Sequence, residues 1–250
     1  MRRGRLFAVS IVCAAACAAA GKDNGNGGDP IDAPTGGGDP DSGGGGMDSS
    51  VTTDAPMADA APVTITLTQN TGTSIGSNNS IACGNPDGTT AENSWYRVFR
   101  LADHGVVGGL RVTAVSFGVQ EALGLPNVQI KIGTYSGNLV PPPAQLDTGL
   151  ITPLTSATFA VPNTANTAPT SVTVPITANV PALSQMIVEI FSPDMNGTSK
   201  YFYLGGNATG ESKPGYLRAP TGACATPQPR STTALGFPTS HLFITVAGTH

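Results

Sequence analysis

From Val63 onward, apolar and polar residues alternate with a period of two in run after run, and no other feature restricts the chain as much. Val63, Ile65 and Leu67 alternate with threonines, and Val128, Ile130 and Ile132 with Gln129 and Lys131. The pattern recurs at Val115, Phe117 and Val119, at Val172, Val174 and Ile176, at Met186, Val188 and Ile190, and at Leu242, Ile244 and Val246. A period of two sends successive side chains to opposite faces, so each run reads as a strand with one face toward a core. Gly, Pro or Asn bounds each run. With 95–101 and 201–204 added, the spacing predicts eight or nine antiparallel strands in an all-β sandwich, with a jelly roll as the preferred arrangement. Composition agrees: 32 Gly, 21 Pro and a charged fraction of 11% exclude a coiled coil or a helical bundle. One short helical turn is expected near 121–123. A domain spanning 63–250 is long enough to bury about 70% of its unfolded surface in one core.

The first 62 residues follow different rules. Arg2, Arg3 and Arg5 precede an apolar run that ends in small residues, the pattern of an export signal over 1–20. Two processing routes are open. Ala18-Ala19-Ala20 suits cleavage before Gly21, whereas Ala14-Ala15-Ala16-Cys17 resembles a lipobox whose cysteine becomes acylated. Residues 21–62 are Gly, Asp, Pro, Ala and Ser with almost no aliphatic content. Nothing there can offset the cost of ordering a backbone, about 1 to 2 kcal/mol per residue, so the expected form is a disordered linker that holds the domain off a surface. Eight acids face Lys22 alone in this tract, while the domain balances eight acids against eight bases. With no basic surplus to meet phosphates, the domain is not expected to bind nucleic acid, and the membrane is expected to hold it only through a lipid anchor. The expected location is a bacterial envelope or the extracellular space.

Cys83 and Cys224 form an even pair in an exported domain, and an oxidising compartment makes a disulfide their expected state. Neither has a metal-binding companion at zinc spacing. Gly72-Thr73-Ser74-Ile75-Gly76 satisfies the pattern of a nucleophile elbow, but Ser77-Asn78-Asn79-Ser80 cannot begin the helix that motif requires. His104 is placed in a turn and His241 at the opening of the last strand, so neither is expected to complete a triad. No catalytic cofactor is expected. Glu92 and Glu189 are the carboxylates best suited to a hydrolase reading, since glycoside hydrolysis needs two acids about 5 to 9.5 Å apart. The competing reading pairs Glu189 with Arg97 or Arg100. Asp87, Glu92 and Asn93 lie in a polar loop with the hard oxygen ligands a structural calcium would use.

Trp95, Tyr201 and Tyr203 are candidate ligand contacts, because a flat aromatic face stacks on a sugar ring. For Trp95 the competing reading is core packing. In Tyr201-Phe202-Tyr203-Leu204 the alternation sends either the two tyrosines or Phe202 and Leu204 outward.

The segments Glu92-Asn93-Ser94-Trp95-Tyr96-Arg97-Val98-Phe99, Val115-Ser116-Phe117-Gly118-Val119 and Val188-Glu189-Ile190-Phe191-Ser192-Pro193-Asp194 resemble a module of exported proteins of environmental bacteria. Gly215-Tyr216-Leu217-Arg218-Ala219-Pro220, Cys224 and Gly236-Phe237-Pro238 before His241 extend the resemblance over most of 66–248. It implies a β-sandwich accessory domain behind a leader and stalk, of no established activity. Together these features predict a non-enzymatic surface protein that contacts extracellular glycan or protein. The alternatives are a secreted hydrolase using Glu92 and Glu189, and a structural envelope or matrix component.

Overall fold

Twelve strands, all paired antiparallel, account for the alternating runs in the computed structural model, which describes residues 61–250. The leader, Cys17 and 21–60 of the linker lie outside the described residues. The strands are β1 (Thr64–Leu67), β2 (Asn93–Arg100), β3 (Leu110–Leu123), β4 (Asn127–Tyr135), β5 (Ile151–Ala160) and β6 (Thr170–Val180). They continue with β7 (Gln185–Ser192), β8 (Tyr201–Asn207), β9 (Tyr216–Ala219), β10 (Thr226–Ser231), β11 (His241–Leu242) and β12 (Ile244–Thr249).

Two six-stranded sheets result. One runs β1-β12-β3, with β6 on the far side of β3, while β8 takes over from β12 along the second half of β3 and carries β11. The other runs β10-β9-β2-β7-β4-β5. Without β8 to β11, what remains is β1-β12-β3-β6 facing β2-β7-β4-β5, the strand order of an eight-stranded jelly roll. The segment between β7 and β12 is therefore an excursion that lengthens both sheets: β8 and β11 extend the first, β9 and β10 the second.

Alternation decides what lies inside. Val112, Val115, Phe117 and Val119 of β3 face Val128, Ile130 and Ile132 of β4 and Met186, Val188 and Ile190 of β7 in one apolar cluster. Trp95, Phe202, Phe117 and Phe159 cross it as successive edge-on ring pairs, 5.5, 6.1 and 6.4 Å between centroids. Each such pair adds about 0.5 to 1.5 kcal/mol beyond its burial. Tyr96, Val98, Tyr135, Leu146, Ile187 and Tyr216 form a smaller cluster, so part of the second sheet's outer face is covered as well.

The helical turn expected at 121–123 is absent, and those residues end β3. A bulge between Val119 and Glu121 breaks the period of two there, and that break mimics a helical spacing. Short 3-10 turns occur at Leu101–His104 and Thr148–Leu150 instead.

Candidate functional site

Tyr201 and Tyr203 stand on the outer face of the first sheet, because Phe202 and Leu204 are fully buried on its inner face. Their rings lie 5.7 Å apart and are inclined by 52°. Glu121 is the register partner of Tyr203 on β3, and its Oε1 accepts a hydrogen bond from the Tyr201 hydroxyl at 3.0 Å. The bulge that broke the alternation is what turns Glu121 outward, onto the face that Tyr201 and Tyr203 share. Partial burial, then the Glu121 hydrogen bond and charge, push the Tyr201 phenol up to about 12, and burial with the same carboxylate raises Tyr203. Both phenols are thus fixed as neutral donors at any physiological pH. Leu123 and Leu125 continue the patch at 44% and 56% exposure, so a half-open aromatic pair, a carboxylate and two aliphatic side chains share one end of the sheet.

Trp95 is not a ligand contact. It is fully buried, its Nε1 donates to the Ile81 carbonyl at 2.7 Å, and Phe202 packs edge-on against its ring. Cys83 and Cys224 are joined in a disulfide that closes a sequence separation of 141 residues.

Asp87, Glu92 and Asn93 do not form one ligand set. Asp87 Oδ1 accepts from Thr89 N at 3.0 Å and its Oδ2 from Gly197 N at 2.9 Å, contacts that lower its pKa, the Thr89 hydroxyl contributing most. Glu92 pairs with Arg218 at 2.8 Å. Asn93 is buried, bonded to the backbone of Cys83 in both directions at 2.8 and 3.0 Å. Among the described residues, no group of three or more acidic, histidine or cysteine side chains gathers as metal ligands do.

Glu189 pairs with Lys131 at 3.2 Å rather than with Arg97 or Arg100. Lys131 also lies 4.3 Å over the Phe191 ring. Register pairing places Glu189 opposite Tyr96, four residues along β2 from Glu92. That is roughly 13 Å of backbone between the two positions, and each carboxylate is held by its own cation. Beside Glu189 a cavity of about 60 Å³ is lined by Tyr96, Lys131, Gly133, Ile151 and Pro153, room for little more than solvent. Ser74 is exposed in the β1–β2 connection, with no helix after it. That connection lies close against the first sheet: Ile75 sits over Gly205, where a Cβ would come within 2.6 Å of it.

The remaining charged cluster is interior. Arg97, completely buried, contacts Glu211 at 2.8 Å and donates to the Leu242 carbonyl from Nε at 3.2 Å and to the Lys213 carbonyl from Nη1 at 2.6 Å. His241 Nδ1 lies 3.3 Å from the other Glu211 oxygen. Burial alone would push the guanidinium pKa down, and the Glu211 charge opposes that. Every partner here belongs to the excursion or its return, so the cluster fastens the excursion to β2 and places His241 in a structural role.

No known family model matches the chain, and no curated protein matches it. Among solved structures, the chain is similar to the cysteine protease and lectin-like domains of Cwp84, a surface layer associated protein of Clostridium difficile. The identity is 12%, the match covers 64% of this chain and 32% of that one, and the TM-score is 0.41. This chain matches about a third of that chain's length. So distant a likeness carries no functional argument. The β-rich fold fits the module that the sequence resembles, and the site rests on this chain's own geometry.

Proposed function

We propose that this is an exported, non-enzymatic surface protein, anchored through an acylated Cys17, whose jelly-roll domain binds extracellular glycan at Tyr201, Tyr203 and Glu121. The observation that carries the reading is the pair of outward tyrosines flanking a carboxylate. Aromatic faces take the C–H surface of a sugar ring, Glu121 accepts from its hydroxyls through its second oxygen, the Tyr203 phenol donates to them, and the Tyr201 oxygen, its proton held by Glu121, accepts from them. With the domain's acids and bases in balance, a neutral polysaccharide fits better than an acidic one. Support for the anchor comes from the sequence alone: the Ala14-Ala15-Ala16-Cys17 run and the polar tract behind it.

Affinity electrophoresis of the full chain through gels containing neutral polysaccharides tests the binding. Retardation by at least one polysaccharide, weakened several-fold in Glu121→Gln, is the expected result; free migration through every gel would contradict the proposal. The anchor is tested separately, because Cys17→Ala should move the protein from the membrane to the soluble fraction.

A further inference from the structure

The end of the sandwich away from the tyrosine pair carries its own exposed apolar group. Val63, Val107, Val140 and Leu183 are 56%, 74%, 58% and 79% exposed. They come from four separate parts of the chain, whose connections the fold brings to one end. Val63 exchanges backbone hydrogen bonds of 2.9 and 3.0 Å with His250. Thr249 is paired with Arg111, and Leu110 with Val180, which puts the β2–β3 and β6–β7 connections beside the chain's entry point. Pro62, Gly109, Val180 and His250 line one depression there. Gln185 Nε2 donates to the Tyr135 and Gly137 carbonyls at 3.1 and 2.7 Å, bringing the start of the connection that holds Val140 to the same end.

Isolated exposed aliphatics are ordinary, but several at one end are not. Leu183 is the most telling. It holds a left-handed φ of 59° at the tip of its turn, a conformation that glycine or asparagine adopts at less cost, and it points an almost fully solvated aliphatic side chain outward. Conformation and hydration both disfavour leucine there, and its side chain adds little to the core.

We infer that these four side chains form a tip that settles into the headgroup layer of the bilayer holding the protein. The inference rests on the Cys17 anchor proposed above. Ala61 lies 44 residues after Cys17, so the polar tether between anchor and domain joins the domain at this same end. Such a tether keeps the tip at an effective concentration near millimolar, where contacts too weak to hold a free protein suffice. Charges beside the tip lean positive: Asp103 lies 3.4 Å from Arg100 and 4.0 Å from Lys213, and Arg111 lines the depression. The contact is apolar first, and anionic headgroups would add to it rather than be required. Docked in this way, the domain turns Tyr201 and Tyr203 away from the membrane.

Hydrogen exchange on the full chain reconstituted into phosphatidylcholine vesicles tests this against Val107→Asp/Leu183→Asp. Exchange at 105–109 and 181–184 should be about tenfold slower in the wild type than in the variant, with no difference at 163–168 and no effect of added salt. Wild-type protein that floats with the vesicles but exchanges like the variant would overturn the docking and leave the anchor standing. Protein that does not float with the vesicles would overturn both.

Discussion

The eight-strand jelly roll and the excursion between β7 and β12 are stabilised differently. The jelly roll is held by facing rows of Val, Ile, Met and Phe, with strand pairing that runs unbroken for six to eight positions on β2, β3, β4 and β7. The excursion pairs more briefly, down to the two residues of β11, and is tied on by polar and covalent links: Arg97 with Glu211, Asp87 with Gly197, and Cys83 with Cys224. Met195, Phe202, Leu204, Leu217 and Leu242 are its apolar contribution to the shared core. A frame built on burial tolerates an appendage of this kind, and the appendage carries the tyrosine pair. The candidate site straddles the two parts, with its rings on the appendage and its carboxylate, Glu121, on β3 of the frame.

The sharpest way to break that comparison is to remove the central polar tie. Arg97→Ala leaves Glu211 buried without its cation and should cost about 3 to 5 kcal/mol, as much as a large core truncation. Urea unfolding measures the total, and hydrogen exchange should place the loss at 201–231 before 128–132. Equal loosening of both regions would mean the excursion is not a separable unit. Cys83→Ser/Cys224→Ser should cost about 2 to 4 kcal/mol, read as a lower urea midpoint, with the same regional bias.

Acid should act more weakly, and in the same sense at both regions. Burial depresses the His104 pKa below the ordinary imidazole value of about 6.5, so the unfolded chain takes up the proton first. The jelly roll should keep this stability above pH 6.5 and lose it as the pH falls through the folded-state value; His104→Gln should flatten that part of the profile. Asp87, depressed by its hydrogen bonds to Thr89 and Gly197, should loosen the excursion only below the ordinary carboxylate range near pH 3.9. Asp87→Asn should speed exchange at Gly197 already at neutral pH.

The same division explains what the sequence disclosed. Strands with one buried face show it in their alternation, and β3, β4, β6, β7 and β12 were legible for that reason. β5 is an edge strand with Pro153 and mostly exposed side chains, so no apolar period marks it. β10 carries two prolines, which an edge tolerates and a central strand does not. Cys83 and Cys224 could be paired by elimination, whereas Arg97 with Glu211 could not, because the tie joins a strand centre to a loop 114 positions later. Glu121 was hidden by the bulge that makes it useful. The alternation in 201–204 offered two faces, and the burial of Phe202 chose between them.

Binding by Tyr201→Ala/Tyr203→Ala tests the central claim most directly, because both rings are outward and half-buried, so their loss should lower the urea midpoint without unfolding the domain. On a polysaccharide that retards the wild type, the account predicts at least a tenfold weaker association for the double variant. Undiminished association by the folded variant would contradict it.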